Sequence, residues 1–344
     1  MRRVFTLALL AATAGCTTTA PVPNSLPAVT VTARGETTPV GTVAADAADD
    51  PAIWRNAADP AASLIVATDK KAGLYVYGLD GKVRSFEPAG RLNNVDLTTL
   101  ADGTVLVAAS DRNDLAGARL RLYRLDTTGG QLVALGEVSG GAGEAYGVCL
   151  AQLGDELFAF SVLKTGRIEQ VRLEVSGGAV SGTTVRSLKL ATQPEGCVVD
   201  QRSGLLYVGE EDVGIWRFEV GPGGSETATL VAPADGRHLV ADVEGLALAE
   251  SGADGGWLVA SSQGDNAYVL YELPSLRPAG RFRVGRGVVG STEETDGIAL
   301  VLGDFGPDYP TGLLVVQDGV NAPAAQNFKL VSWADVIASL GLHH

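Results

Sequence analysis

The sequence predicts an all-β domain, a six-bladed β-propeller, and three observations lead there. A short module recurs six times: Asp50-Pro-Ala-Ile-Trp54, Asn94-Val-Asp-Leu-Thr98, Tyr146-Gly-Val-Cys-Leu150, Glu195-Gly-Cys-Val-Val199, Glu244-Gly-Leu-Ala-Leu248 and Asp296-Gly-Ile-Ala-Leu300. Its leading residues lie 44, 52, 49, 49 and 52 positions apart, a period that belongs to propeller-type repeats. Further apolar runs follow each module with period-two alternation and turn residues between them, the pattern of antiparallel strands. Composition agrees: 44 glycines, 46% hydrophobic residues and 6% aromatics suit many short strands joined by tight turns.

The elements follow in order. Residues 1–16 carry Arg2 and Arg3, an apolar stretch and small residues before Cys16, and read as an export signal. Thr13-Ala14-Gly15-Cys16 resembles a bacterial lipoprotein box, so the mature chain is expected to be exported, lipidated at Cys16 or cleaved after Ala14. It would then be a periplasmic or outer-membrane lipoprotein, or secreted. Residues 17–27, rich in Thr and Pro, form a flexible tether. Residues 28–344 are one propeller domain, each repeat a meander of about four strands. Second strands are expected at 64–68, 105–110, 157–162, 205–209, 257–262 and 312–317. Third strands are expected at 73–77, 120–124, 168–172, 214–218 and 267–271. N- and C-terminal strands close the ring: residues 28–33 supply one strand of the last blade, and 327–331 complete it. A short C-terminal helix over 334–340 has Ser332 as its N-cap and Gly341 as its stop.

The net charge of −14 becomes −16 without Arg2 and Arg3. Such a chain repels nucleic acid and anionic lipid unless cations intervene, leaving a lipid anchor as the one membrane partner. Cys149 and Cys197 occupy matching repeat positions inside strands; an exported protein permits a disulfide, but two buried free thiols are the expectation.

In a propeller the leading residues of the inner strands and the residues closing the second strands meet at one mouth. That set is Asp49, Asp50, Asn94, Asp96, Glu195, Glu210, Glu211, Asp212, Asp242, Glu244, Gln263, Asp296 and Asp318. So many carboxylates cannot share a partly desolvated mouth unpaired, and cations must neutralise them. With oxygen donors and only three histidines in the chain, the metal should be hard, calcium before magnesium. Lys70, Arg112 and Lys164 fall just after three successive second strands, and with Lys71, Arg91 and Arg237 they suggest a cationic arc beside the carboxylates, suited to phosphate. Gly285-Arg-Gly-Val-Val-Gly290 matches a dinucleotide-binding string but precedes an acidic turn, not a helix. No GxSxG, Walker loop or HExxH occurs.

Asp46-Ala-Ala-Asp-Asp-Pro-Ala-Ile-Trp54 followed by Gly90-Arg-Leu-Asn-Asn-Val-Asp96 resembles the signature pair of the β-propeller phytases. The likeness extends through Pro194-Glu-Gly196, Glu210-Glu-Asp212, Asp242-Val-Glu-Gly245, Ser261-Ser-Gln-Gly264 and Thr295-Asp-Gly297, covering about residues 36–341. The resemblance implies calcium-dependent, 3-phytase-like hydrolysis of phosphate monoesters of myo-inositol hexakisphosphate (phytate) by metal-activated water, with several calcium ions. It implies Asp50, Tyr146, Glu195, Glu211, Asp242 and Asp296 as catalytic residues. Asp49, Glu244 and Gln263 would join them around the metals, while Lys70, Arg112 and Lys164 would hold substrate phosphates. The partner implied is phytate, as its calcium complex, acted on by a monomer. One departure stands out: Gly287-Val-Val-Gly290 replaces an acidic loop, leaving Asp318 and Asn321 as the remaining ligands of a stabilising ion. Two other functions compete, a non-catalytic propeller binding calcium and phosphorylated ligands, and a calcium-dependent lactonase. The basic arc favours phosphate.

Overall fold

Strands whose side chains are apolar on both faces need a neighbour on each side, and a ring of radial sheets provides it. Leu64 and Val66 on the second strand of the first sheet pack against the second sheet, while Ile65 and Ala67, pointing oppositely, pack against the sixth. The same division recurs between every adjacent pair of sheets, so the core is six interblade wedges. Each fully buried Leu, Ile or Phe in these wedges contributes roughly 1.5–3 kcal/mol.

A computed structural model describes residues 25–43 and 46–343. Blade one contains Ala48–Trp54, Leu64–Asp69, Gly73–Gly78 and Val83–Pro88; blade two contains Leu92–Thr99, Val105–Asp111, Gly117–Asp126 and Gln131–Ala142. Blade three contains Ala145–Leu153, Glu156–Leu163, Arg167–Ser176 and Ala179–Lys189; blade four contains Pro194–Asp200, Leu205–Glu210, Gly214–Glu219 and Thr229–Pro233. Blade five runs from Val243–Ser251 through Gly255–Ser262 and Ala267–Leu273 to Arg277–Gly285. Blade six runs from Ile298–Leu302 through Gly312–Asp318 and Asn327–Ser332 to Gly35–Glu36 at its outer edge. The inner strand of each blade packs on the next, and that of blade six returns to blade one.

The ring therefore closes with both chain ends, but by a different N-terminal strand than expected. Gly35–Glu36 pairs with Asn327–Ser332, whereas Val29–Thr32 adds a fifth, parallel strand to blade five, against Arg277–Gly285. Ring closure needs only two residues, and the earlier stretch covers an edge that would otherwise stay open.

The C-terminal helix, Trp333–Leu340, buries Trp333, Val336 and Ile337 against the wedge between blades five and six. Gly341 stops it with φ 66°, a left-handed conformation glycine adopts without cost. Ser332 stands at the N-cap but its side chain makes no capping bond, so packing rather than the cap holds the start.

Cys149 and Cys197 form a disulfide, correcting the expectation of free thiols. Equivalent positions on the adjacent inner strands of blades three and four put their Cα atoms 5.8 Å apart, within bridging range. The export signal and most of the tether lie outside the described residues. Of the tether's last three residues, Leu26 donates its N–H to the Arg237 carbonyl at 2.8 Å and accepts from the Arg281 guanidinium.

Candidate metal centre and anion site

At the start of five of the six inner strands the ladder breaks. Register shifts fall between Ala48 and Pro51, Leu92 and Val95, Ala145 and Val148, Pro194 and Cys197, and Val243 and Leu246. A bulge frees two residues from pairing and re-aims their side chains. Asp49 and Asp50, Asn93 and Asn94, Tyr146, Glu195 and Glu244 all occupy these bulges. Hydroxyls on the second strands pin two of them, Thr68 Oγ1 accepting from Asp50 N–H and Ser110 Oγ from Asn94 N–H, each at 2.9 Å. Glycine follows where neighbouring bulges touch: a Cβ on Gly147 would lie 2.0 Å from the Glu195 carbonyl oxygen, and one on Gly196 would lie 2.2 Å from that of Glu244. Any larger residue would push the ring apart.

The antiparallel turn brings the ends of the second strands to the same mouth. There stand Lys70 after Leu64–Asp69, Arg112 after Val105–Asp111, Lys164 after Glu156–Leu163, Glu211 after Leu205–Glu210 and Gln263 after Gly255–Ser262. Asp242 and Asp296 sit just ahead of the inner strands of blades five and six. Carboxylate oxygens of Glu195, Glu211 and Glu244 lie within 4.8 Å of one another.

These acids are starved of water and of countercharge. Burial, reinforced by Asp49, pushes Glu195 up to about 8. Burial likewise raises Asp50, with Asp49 adding to it, and Glu244, with Glu195 adding to it. Asp296 is raised by burial although Lys70 opposes it. Glu211 and Asp242 shift the same way, mainly by burial. Deeper in the channel, burial takes Asp96 up to about 6, against N–H donors from Leu150 and Leu97. Asp49 Oδ2 and Glu244 Oε2 are buried with no hydrogen-bond partner. Orphaned anionic oxygens grouped this closely fit a hard cation, and the irregular all-oxygen set suits calcium's tolerant coordination better than magnesium's octahedron.

The basic residues divide. Lys70 is nearly buried and bound to acids: its Nζ lies 2.7 Å from Asp49 Oδ1 and 3.7 Å from Asp296 Oδ2, and it also pairs with Asp46. Arg112 and Lys164 converge on Tyr146, at 5.5 and 4.9 Å from its ring centroid. Arg112 also pairs with Glu144. The Tyr146 hydroxyl accepts from Gln193 Nε2 at 3.3 Å. Burial and the Glu195 charge raise Tyr146 far above the ordinary phenol range, so it remains a proton donor.

Of the residues expected at the mouth, Asp49, Asp50, Tyr146, Glu195, Glu211, Asp242, Glu244, Gln263 and Asp296 share it; Gln263 Nε2 hydrogen-bonds Asp296. Asp318 and Asn321, expected around a stabilising ion, lie instead on a side chain of the protein. Lys329 Nζ lies 3.0 Å from each of Asp318 Oδ2 and Asn321 Oδ1, so an ammonium already meets the charge of this pair. Glu210 also turns away, accepting from Trp216 Nε1 at 2.7 Å and from Thr192. Two amides went unnoticed in the sequence, Asn93 and Gln193. Nothing in the sequence singles them out, yet Asn93 Nδ2 donates to Glu195 Oε1 at 2.7 Å and Gln193 Nε2 to Glu211 Oε1 at 2.5 Å.

Comparison with known proteins agrees with this geometry. The model of the Phytase family matches residues 3–343. A 3-phytase of Bacillus subtilis (strain 168) is 39% identical over 327 residues, an alignment spanning 90% of this chain and 85% of that one. Among solved structures, a chain of a mitotic checkpoint complex superposes with a TM-score of 0.51 at 12% identity, covering 97% of this chain and 86% of the other. That likeness concerns the fold alone.

Proposed function

The chain belongs to the Phytase family, and on that premise we propose that it hydrolyses phosphate monoesters of phytate with calcium ions held at the mouth. The observation that carries this reading is the buried, under-neutralised group of Glu195, Glu211 and Glu244 set beside Tyr146, Arg112 and Lys164. Asp49, Asp50, Asp242, Asp296 and Gln263 would complete the oxygen set around the ions. Bound calcium supplies positive charge to the phosphoryl oxygens and to an attacking water.

The chain's own residues do the rest. The carboxylates, anionic once cations replace their protons, fix where positive charge stands before substrate arrives, so little reorganisation remains for the transition state. Arg112 and Lys164 grip phosphate oxygens and orient the ester. Tyr146 keeps its proton, which suits it to hydrogen-bond donation and not to attack on phosphorus. Lys70, held by Asp49 and Asp296, offsets part of the acidic charge. No side chain needs to form a covalent intermediate.

Incubation with phytate, with inorganic phosphate and lower inositol phosphates as the products measured, tests the reading. Tight phytate binding without phosphate release would favour a non-catalytic binder, and lactone opening without phosphate release would favour a lactonase. We also propose that the chain is exported and anchored through Cys16. Mass analysis of the mature N-terminus checks this, an unmodified residue after Ala14 counting against the anchor.

A further inference from the structure

We propose that Asn93 is a positioning residue that ties Arg112, on the phosphate side of the mouth, to Glu195, on the cation side. The inference rests on the reading above and assigns a role to a side chain which that reading leaves unused. Asn93 is fully buried in the bulge of Leu92–Thr99. Its Nδ2 donates to Glu195 Oε1 at 2.7 Å, and its Oδ1 accepts from Arg112 Nη1 at 2.5 Å. The second hydrogen of the same amide goes to the neighbouring Asn94 Oδ1 at 2.8 Å, so every donor and acceptor of the Asn93 side chain is engaged.

A primary amide is suited to this place because it donates on one side and accepts on the other. A carboxylate could satisfy Arg112 but would repel Glu195, and an aliphatic side chain could satisfy neither. The donated N–H fixes the orientation of the Glu195 carboxylate and which of its oxygens is left for the ion. The accepted bond fixes the guanidinium plane, which Glu144 alone would leave free to swing about one contact. Asn93 thereby keeps phosphate-binding and cation-binding groups in one register across two blades, without itself touching substrate.

Substitutions separate the two arms. Asn93→Asp keeps the acceptor for Arg112 and places a carboxylate against Glu195. Its KM for phytate should stay within about threefold of the parent value. Its calcium affinity, read by calorimetric titration of chelator-treated protein with calcium alone, should fall by roughly 10–100-fold, as when a metal ligand loses its supporting partner. Asn93→Ala removes both bonds and should also raise KM about tenfold. Asn93→Ser, too short to reach Arg112 and Glu195 together, should show at least one of the two defects, and stands in should Asn93→Ala not fold. A structural role alone would lower the melting temperature and leave calcium affinity and KM untouched. Calcium affinity in Asn93→Asp equal to or tighter than in the parent would overturn the proposal. Should the parent protein itself bind no calcium and release no phosphate, the functional reading falls instead, so the two failures are distinguishable.

Discussion

Two groups of acidic and amide oxygens occupy this molecule, one at the mouth and one behind the strand that closes the ring, and they are neutralised in opposite ways. Behind the closing strand, the fully buried Lys329 ammonium sits 2.5 Å from Glu36, 2.8 Å from Asn327 Oδ1 and 3.0 Å from Asp318. Burial raises Glu36, but the hydrogen bonds from Lys329 and Asn327 and the charge of Lys329 outweigh it and the net shift is downward; the more deeply buried Asp318 stays raised, although Lys329 opposes its burial. At the mouth, Lys70 is the ammonium bound among the acids, and Glu195, Glu244, Asp50 and Asp296 all stay raised. Where the chain supplies its own cation, the cluster is a clasp joining Glu36 to the last strand of blade six. Where it does not, the proposed function has the cluster take cations from solution. On that proposal the same donor chemistry serves stability in one place and catalysis in the other, and the balance of charge decides which.

The largest effect should come from breaking the mouth. Glu195→Gln or Glu211→Gln removes a negative charge that holds cations over the reacting phosphate, and kcat should fall by at least about 100-fold with the circular dichroism unchanged. Near-normal turnover in a folded variant would remove that carboxylate from the mechanism. Breaking the clasp should act on a different quantity. Lys329→Met leaves Glu36 and Asp318 facing each other without a cation and should cost about 3 kcal/mol of stability. Melting curves should show it as a fall of several degrees, while KM and the calcium requirement of the folded fraction stay as they were. A catalytic defect without a stability defect would mean that the two clusters are not separate.

Proton uptake sharpens the contrast further. Glu195 titrates at about 8 in the metal-free fold against 4.5 ordinarily. Its native form therefore holds a proton that the unfolded chain has lost, and the metal-free protein loses stability as pH rises across that window. Calcium bound there as proposed would displace the proton, so calcium affinity should climb by up to about tenfold per pH unit for each proton released, levelling off above pH 8. The gap between melting temperatures in saturating calcium and in chelator should widen from pH 6 to pH 8.5. A constant gap would contradict the displacement. The smallest effect belongs to Lys164→Ala, which should raise the KM for phytate by roughly three- to tenfold and change kcat less, because that lysine orients substrate at the rim.

Much of this contrast was legible in the sequence, and its limits have a physical cause. Oxygen-bearing residues ahead of six in-phase apolar runs placed Asp50, Glu195, Glu244 and Asp296 at one mouth, because a strand fixes side-chain direction within a repeat. Pairings between blades depend on ring closure instead, which no local period encodes. Thus the bonded state of Cys149 and Cys197, the adoption of Val29–Thr32 by blade five and the capture of Asp318 and Asn321 by Lys329 emerged only in three dimensions. Asn93 and Gln193 were missed for a related reason: uncharged amides carry no signal until the acid that they face is known.

The central claim is that the mouth is inert until external cations neutralise it. The most direct measurement is phosphate release from phytate by chelator-stripped protein during back-titration with calcium. Release should be negligible in excess chelator and return saturably as free calcium rises, with magnesium restoring little of it. Full activity in excess chelator would contradict it.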